Sequence, residues 1–399
     1  MRSPFLLIAA LLDTGHNYSN DQGNDSLIQP SFMKCHGTMR EADGIVSYLK
    51  EEYSSRYAKT YLITGATSGI GLEAAKMLAI MNPLNRIFVV GRNTRKARMA
   101  AEEIASVHPE PALFRENVVP IVCDQSSFES VRRFSRELRS KLDETYDPKK
   151  WEANGIDALC LNAAVLQPND VPAQFTEDDI EITFQTNHLS PFLLINLIHG
   201  TLNPGGRVVV SSSGLHLYQK LLLEGLIDPE TGRARRGFET ADGAEYNCKK
   251  TYAFSKLCNV AMAIELQERL RRMGIAVLSF SPGLITSTNL FRHHRKNNNT
   301  IQFPRDIMAN EKTIQWGAGA LVYMATAGQV GKTGGKYWHD PNSGAGPCAI
   351  YGKEFHPSDV PDSHISVAGR KKLWSLSCDL AGVAEDTIPL HSERLANAD

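Results

Sequence analysis

Short apolar runs alternate with longer stretches of helical periodicity from Lys59 onward. The apolar runs predict six buried strands and a short seventh, at 60–64, 86–91, 118–123, 158–161, 206–211, 276–280 and 335–338. Helices are predicted between them, most clearly at 127–142, 176–199, 249–273 and 313–327. This alternation is typical of a parallel sheet that carries helices on both faces. We therefore expect an α/β fold with a single doubly wound parallel sheet of about seven strands.

Regions of different composition flank this pattern. Residues 1–12 join one positive charge to an apolar run, which predicts either a short targeting segment or an apolar start packed against the body. Residues 13–45 are polar and typical of a loose extension, and 46–56 has the pattern of a lead-in helix. We divide the chain into an N-terminal extension at 1–58, one folded domain at 59–385 and a C-terminal tail at 386–399.

Composition narrows the classes of function. A net charge of −1 gives no support to a nucleic-acid partner or to a membrane surface. No apolar run reaches the ~18–20 residues of a membrane span, so no integral span is expected. The seven cysteines form no CxxC pair and no zinc-ligand spacing. They predict reduced thiols in a reducing compartment and no metal site.

A glycine-rich loop follows the first predicted strand and opens the first helix. Gly65 permits a tight turn off the strand, Gly69 lets the backbone approach a pyrophosphate, and Gly71 lets helix and strand pack closely. The helix that follows points its first N–H groups at that phosphate. The setting predicts a dinucleotide site in a Rossmann-type fold, lined also by Thr67, Ser68 and Ile70 of the loop and by Asn162 and Ala163 after the fourth strand.

The end of the second strand predicts which dinucleotide binds. An acidic residue there would bind the ribose 2′-hydroxyl of NAD, whereas arginine accommodates the 2′-phosphate of NADP. This chain has Arg92 and Asn93, then Arg95 and Lys96, and no acid before Glu102. We therefore predict NADP(H) as the cofactor.

Asp124 follows the third predicted strand, where two roles are open to its carboxylate. It can contact the edge of the adenine, or it can cap the helix that begins near Ser127. The sequence does not choose between the two.

Tyr252 and Lys256 lie four residues apart on a predicted helix, so their side chains share a face. A free phenol has a pKa of about 10 and is a poor acid or base at neutral pH. A neighbouring ammonium favours the phenolate and is expected to lower that pKa. Ser213 ends the run Ser211-Ser-Ser213 about 40 residues earlier and can bond a substrate oxygen, with Ser212 as its rival. Asn187, on the apolar helix before them, needs a polar partner such as a water shared with Lys256.

Together these motifs resemble the short-chain dehydrogenase/reductase family. The resemblance runs from Thr60 to about Gly283 and implies roles by position, with Pro282 and Gly283 lining the cofactor site. Tyr252 becomes the proton donor or acceptor, and Lys256 the residue that tunes it and anchors the nicotinamide ribose. Ser213 orients the substrate and Asn187 serves a proton relay. Members commonly pair through the helices that carry Asn187 and Tyr252, so a homodimer is expected by analogy.

Two branches of the family compete. Asn162-Ala-Ala-Val165, Thr288-Asn-Leu-Phe-Arg292 and above all Cys258, two residues after the lysine, are similar to light-dependent protochlorophyllide reductases. In that branch the cysteine is implicated in the site, whereas a buried packing role is the alternative. This resemblance implies that the protein reduces a large, flat, apolar substrate and that it is located in a plastid. The alternatives are a retinol, steroid or lipid carbonyl–alcohol dehydrogenase and a non-catalytic NADP-binding scaffold. Either of these alternatives is compatible with a location in the cytoplasm.

Overall fold

The computed structural model describes residues 58–107, 111–169, 171–240, 243–295, 311–339, 356–358, 360 and 363–390. The predicted lead-in helix, the apolar start and the last nine residues of the tail lie outside the described residues. Among those that are described, no helix combines the length and apolarity that crossing a bilayer requires.

The strands form one eight-stranded sheet with the order β3-β2-β1-β4-β5-β6-β7-β8. Strands β1 to β7 are parallel, and β8 pairs with β7 in the antiparallel sense. The doubly wound parallel sheet of seven strands is confirmed; the antiparallel edge strand was not predicted. The strands are β1 Thr60–Thr64, β2 Arg86–Gly91, β3 Val118–Val122, β4 Ile156–Leu161, β5 Leu202–Ser211, β6 Ala276–Phe280, β7 Tyr337–His339 and β8 His356–Ser358.

Helices cover both faces of this sheet. In chain order they are α1 Gly69–Met81, α2 Thr94–Ala105, α3 Pro111–Arg115, α4 Phe128–Thr145, α5 Ile182–Phe184, α6 Ser190–Ile198, α7 Cys248–Leu270, α8 Ile314–Thr326 and α9 Val367–Ala381. A π-helical turn, Gln185–Leu189, joins α5 to α6. The single helix predicted at 176–199 is therefore wrong at its start, because Phe175 and Glu181 pair as an isolated β-bridge before the helix begins.

Alternate residues of the strands supply two separate cores. Leu62 and Phe88 face one layer, which also contains apolar residues of α4, α6, α7 and α9. Ile63 and Val89 face the other layer, with residues of α1, α2 and α8. Both faces of the central strands are buried, as a parallel sheet requires.

Helix α9 packs on α6 and α7. The ring of Trp374 meets Phe192 of α6 edge-on, with 4.8 Å between centroids. Arg370 of α9 donates to the buried carboxylate of Glu265 on α7 at 3.0 Å, and Arg269 binds the same carboxylate at 3.2 Å. The outer face of the helices that carry the predicted catalytic residues is thus covered by the chain itself.

Candidate active site

The loop after β1 packs directly against the end of β4. Gly65 has a φ of 68°, and a Cβ on it would lie 2.9 Å from the Cα of Ala163. A Cβ on Gly71 would lie 2.6 Å from the carbonyl oxygen of Gly65 and 2.8 Å from Nδ2 of Asn162. That Nδ2 also donates to the carbonyl oxygen of Thr64 at 3.0 Å. Both glycine positions lack room for a side chain because the backbone approaches so closely.

The amino terminus of α1 is suited to bind an anion. Ser68 occupies the N-cap with extended backbone, and its side chain makes no capping hydrogen bond. Gly69, with a φ of 58°, continues the backbone into the first turn. The first N–H groups of the helix have no intrahelical acceptor, and the positive end of the helix dipole faces the loop. This cradle fits the pyrophosphate of a dinucleotide.

The side chains of Thr67 and Ile70, two further residues of the glycine-rich loop, pack against different elements. Thr67 packs against the end of β2, where a Cβ on Gly91 would lie 2.4 Å from its Cγ2. The side chain of Ile70 points instead at α8, within 3.2 Å of the Cβ position of Gly317. Only the backbone of Ile70 therefore remains to face a cofactor.

The residues predicted for the adenosine side lie after β2 and β3. Arg92, Arg95 and Lys96 are exposed, and Asn93 caps α2 by accepting from the Lys96 N–H at 3.1 Å. Asp124 accepts hydrogen bonds from the N–H and the hydroxyl of Ser126, at 3.0 and 2.7 Å. The N-cap of α4 is Ser127 and not Asp124. Asp124 therefore shapes the turn after β3, with its second carboxylate oxygen left for other partners.

The phenol and the amine predicted for catalysis meet on α7. Tyr252 is 6% exposed and Lys256 2%, and Nζ of Lys256 lies 5.5 Å from the centroid of the Tyr252 ring. The Lys256 ammonium donates to the carbonyl oxygen of Ser211 at 3.0 Å. The side chain of Ser213 lies close enough to the Tyr252 phenol to lower its pKa. The pair thus sits at the carboxyl end of β5.

The pKa of Tyr252 shifts in the direction opposite to the one expected from the sequence. Burial raises the pKa of Tyr252, and the Ser213 side chain opposes that effect only in part. Burial lowers the pKa of Lys256 to about 7. Desolvation is the largest influence on both groups, so the ammonium of Lys256 does not bring the pKa of the phenol toward neutrality. The Tyr252 phenol is therefore protonated at neutral pH.

The three consecutive serines are distinguished by their partners. Ser212 is buried and donates to the carbonyl oxygen of Lys256 at 2.8 Å, which ties β5 to α7. Ser211 is buried as well. Ser213 is partly exposed. The Oγ of Ser213 accepts from the Leu215 N–H at 3.3 Å, yet of the three serines it is the one that acts on the Tyr252 phenol, so Ser213 fits the predicted role better than Ser212.

Asn187 lies in the π-helical turn and is 1% exposed. Its Oδ1 accepts from the N–H of Val165 at 2.8 Å, and its Nδ2 donates to the Val165 carbonyl oxygen at 3.0 Å. The same Nδ2 donates to Ser255 on α7 at 3.1 Å. The side chain is therefore satisfied by protein partners, and any relay to Lys256 would leave from the backbone of this turn. A π-bulge at this position is common near functional sites.

Cys258 is fully buried among the apolar residues of the α7 layer. Burial raises its pKa well above the usual value of a thiol. A helix turns about 200° over two residues, so Cys258 points away from the side of α7 that carries Lys256. This environment favours the packing role over a role in the chemistry.

Pro282 and Gly283 follow β6, and Gly283 has a φ of 85°. A Cβ on Gly283 would lie 2.7 Å from Cγ of Lys312, so this turn packs against the segment before α8. Sequence reasoning missed His216, whose Nδ1–H donates to the carbonyl oxygen of Ser213 at 2.7 Å. His216 packs edge-on against Tyr337, with ring centroids 4.4 Å apart. The only signal was its place three residues after Ser213.

Comparison with known proteins bears on this site. A family model described as short chain dehydrogenase matches residues 59–221, which runs from β1 past the end of β5. The chain is 31% identical over 324 residues to the WW domain-containing oxidoreductase of Drosophila melanogaster, covering 81% of this chain and 68% of that protein. It is 28% identical to retinol dehydrogenase 14 of Homo sapiens, covering 82% and 87%. It is also 28% identical to the chloroplastic protochlorophyllide reductase of Chlamydomonas reinhardtii, covering 83% and 80%.

Solved structures share the fold. A crystal structure of an uncharacterised protein from Mycobacterium Paratuberculosis is 26% identical, with a TM-score of 0.58, and covers 86% of this chain and 98% of that one. A blue fluorescent protein from a metagenomic library, solved in complex with NADPH, is 19% identical with a TM-score of 0.51, covering 73% and 98%. From the sheet order, the glycine loop and these relatives, we conclude that the chain belongs to the short-chain dehydrogenase/reductase family of oxidoreductases.

Proposed function

We propose that this oxidoreductase is an NADP(H)-dependent carbonyl–alcohol dehydrogenase that acts on a large apolar substrate of the retinoid, steroid or lipid type. The observation that carries the proposal is the pairing of Tyr252 and Ser213. Two hydroxyls that meet at the carboxyl end of β5 can both donate to one carbonyl oxygen. The size and apolarity of the substrate are supported by the names of two relatives, a retinol dehydrogenase and a protochlorophyllide reductase.

The residues divide the work as follows. NADPH, when bound, supplies a hydride to the carbonyl carbon. Ser213 holds the carbonyl oxygen, and Tyr252, protonated because burial raises its pKa, transfers its proton to that oxygen. The phenolate that remains lies beside the Lys256 ammonium, which the Ser211 carbonyl holds in place at 3.0 Å. Oxidation of the alcohol runs these proton transfers in reverse.

The cofactor follows from the cradle and from the charge around it. Gly65, Gly69 and Gly71 leave room for the pyrophosphate at the start of α1. Arg92, followed by Arg95 and Lys96, provides positive charge after β2 with no acid beside it to select the ribose hydroxyl of NAD.

Reduction of protochlorophyllide in light is the second candidate. It is favoured by the similarity to the Chlamydomonas reinhardtii reductase, which covers 83% of this chain. Against it stands the position of Cys258, which is fully buried in the apolar layer and whose pKa is raised.

The five cysteines of the described part of the chain are free thiols, as expected in a reducing compartment. This state is compatible with either a plastid or the cytoplasm.

The proposal is tested with purified protein, NADPH, and either retinal or a steroid ketone, assayed in darkness. Turnover in darkness is expected from the wild-type chain. Tyr252→Phe should bind NADPH like wild type and lose turnover by about 10²-fold or more. Ser213→Ala should lose about 10²-fold through the missing donor. Turnover confined to protochlorophyllide under illumination would overturn the proposal in favour of the second candidate.

The surface through which a homodimer was expected by analogy is covered by another part of the same chain. α9 occupies the outer face of α6 and α7 through Trp374 and Arg370. Pairing of two chains through those helices would require α9 to leave. We therefore propose that the chain does not pair through this face.

A further inference from the structure

Ser213, which we assign to the substrate oxygen, lies where the chain leaves the sheet. It stands two residues beyond the end of β5 and caps the 3₁₀ turn Gly214–Tyr218. Its backbone is extended, and its Oγ accepts from the Leu215 N–H at 3.3 Å. The sheet supports such a residue on one side only. A second support is needed if the hydroxyl is to keep one direction.

The imidazole of His216 provides that second support. The carbonyl oxygen of Ser213 accepts two hydrogen bonds from His216, one from its backbone N–H at 3.1 Å and one from Nδ1 at 2.7 Å. The backbone bond belongs to a short 3₁₀ turn, in which hydrogen-bond geometry is poor. The shorter side-chain bond holds the peptide plane that carries the Ser213 carbonyl. Because the orientation of that plane sets the ψ angle of Ser213, the imidazole also limits where the hydroxyl can point.

The imidazole is itself immobilised by the sheet. His216 is fully buried, and its ring meets the ring of Tyr337 edge-on, with 4.4 Å between centroids and 71° between planes. Tyr337 is buried as well and pairs with Ser279 of β6 in the parallel part of the sheet. Strand β7 thus forms a wall behind His216. The contacts run from that strand through the imidazole to the carbonyl of Ser213.

The hydrogen bond to Ser213 defines the tautomer of His216. A carbonyl oxygen only accepts, so Nδ1 carries the proton. Nε2 is buried and has no hydrogen-bond partner among the described residues. An imidazolium would place a second N–H there without an acceptor, which is costly in a buried site. Burial accordingly lowers the pKa of His216 to about 4. The ring is therefore neutral at neutral pH, with its one donor on Ser213.

We propose that His216 is a positioning residue, which directs the Ser213 hydroxyl at the substrate oxygen by holding the Ser213 carbonyl. This inference rests on the proposed role of Ser213 in carbonyl reduction and deepens it, because it names what keeps that hydroxyl in place. The hydroxyl contributes most when negative charge develops on the substrate oxygen in the transition state. Loss of the imidazole should therefore lower the turnover number, with little effect on KM or on the binding of NADPH.

Two variants separate the hydrogen bond from the packing. His216→Phe keeps a ring against Tyr337 but has no donor, whereas His216→Asn keeps an N–H donor and gives up the ring. With NADPH and a keto substrate, the turnover number of the full chain should fall about 10-fold in His216→Phe, as for one lost hydrogen bond. His216→Asn should retain at least about a third of wild-type turnover. An unchanged turnover number in His216→Phe, or a loss in His216→Asn as large as in His216→Phe, would overturn the inference.

A double-mutant cycle asks whether His216 acts through Ser213. In the Ser213→Ala background, His216→Phe should change the turnover number by less than about two-fold, because the hydroxyl that it positions is absent. A further loss of about 10-fold in that background would show that His216 acts elsewhere and would overturn the inference.

His364→Phe is the matched control for these variants. Nδ1 of His364 pairs with the carbonyl oxygen of Gln219 at 2.9 Å, in the same irregular stretch that follows Ser213. The control removes a histidine–carbonyl bond from this stretch without touching Ser213. It should leave the turnover number unchanged.

A measurement without turnover distinguishes failure of this inference from failure of the proposed function. Nitrogen-15 NMR of the wild-type imidazole at neutral pH should show a proton on Nδ1 of His216 and none on Nε2. A proton on Nε2 would overturn the inference whatever the substrate. Absence of turnover by the wild type in darkness, beside an Nδ1–H tautomer, would overturn the proposed function, together with the role in carbonyl reduction that His216 takes from it.

Discussion

The ammonium of Lys256 donates a hydrogen bond to the carbonyl oxygen of Ser211 at 3.0 Å. This bond joins the middle of α7 to the last residue of β5 and fixes the amine beneath the Tyr252 ring. The acceptor is neutral, and the lysine is 2% exposed, so the charge has no full partner to offset its loss of water. A buried amine of this kind lowers the stability of the fold, and groups with such shifted pKa values cluster at functional sites.

The first prediction concerns Lys256→Met. The folded-state pKa of about 7 lies below the value of 10.5 for a free lysine, so the unfolded state binds the proton more tightly at neutral pH. Removing the amine should raise the free energy of unfolding at pH 7 by about 2–4 kcal/mol and abolish turnover. This increase in the free energy of unfolding should be greatest below pH 7. It should disappear above about pH 10.5, where the Lys256 amine of the wild type is neutral in both the folded and the unfolded state. Chemical denaturation at several pH values measures it.

Lys76→Met is the matched control for that experiment. Lys76 is paired with Glu73 at 2.8 Å and Glu103 at 2.7 Å, and those partners raise its pKa. Its replacement should leave stability unchanged or reduce it slightly. A loss of stability in Lys256→Met that equals the loss in Lys76→Met would contradict the assignment of Lys256 as a costly buried charge.

A second prediction is the pH dependence of reduction. The phenolate left on Tyr252 needs the ammonium form of Lys256, whose pKa burial lowers to about 7. The turnover number for reduction should therefore be constant below pH 7 and fall up to tenfold per pH unit above it. Initial rates with saturating NADPH between pH 5.5 and 9.5 test this. A rate that rises with pH through neutrality would mean that Tyr252 works as a phenolate base.

Much of this site was visible in the sequence, for physical reasons. The spacing of Tyr252 and Lys256 determines that they share a helix face, and apolar runs in the sequence identify the buried strands. The direction of the pKa shifts was not visible, because it depends on desolvation by residues distant in the chain. Three adjacent serines could not be told apart either: only the tertiary partners of Ser212 and Ser213 separate them.

Other features depend on contacts between remote segments. His216 and Tyr337 pack against each other although 120 residues separate them. The antiparallel strand β8 and the packing of α9 on α6 could not be placed from the sequence, because their partners lie far away along the chain. The break of the predicted helix at 176–199 into α5, a π turn and α6 follows from the β-bridge and from the bonds of Asn187 to Val165.

The third prediction concerns acid sensitivity. His188 is buried between Asn259 and Ser377, at 3.3 and 3.1 Å from its two ring nitrogens, and burial lowers its pKa to about 4. The unfolded state binds a proton near pH 6.5, so the stability that the neutral ring contributes is present above 6.5 and is lost as the pH falls toward 4. The loss should reach on the order of 3 kcal/mol at pH 4. His188→Gln should flatten this part of the stability curve, whereas His293→Gln, at an exposed site, should not.

The fourth prediction concerns assembly. Because α9 covers α6 and α7, the full chain should sediment without pairing through those helices. Trp374→Ala combined with Arg370→Glu should remove the ring from Phe192 and repel Glu265, at a cost of about 3–5 kcal/mol in stability. The variant should associate with rising concentration as the face becomes accessible. Disulfide crosslinking between two chains that differ from wild type only by a cysteine introduced on the outer face of α7 would contradict the covered face.

The fifth prediction separates the two branches of the family through Cys258. In the apolar layer its thiol is fully buried and its raised pKa keeps it protonated and unreactive. Cys258→Ala should retain the wild-type turnover number and lose about 1 kcal/mol of stability, because a small cavity replaces the sulfur. Alkylation by iodoacetamide under native conditions should leave residue 258 unmodified. A loss of turnover by 10²-fold in a stably folded Cys258→Ala, or rapid alkylation of that thiol, would place the cysteine in the chemistry. The protochlorophyllide branch would then account for the site better than the carbonyl branch.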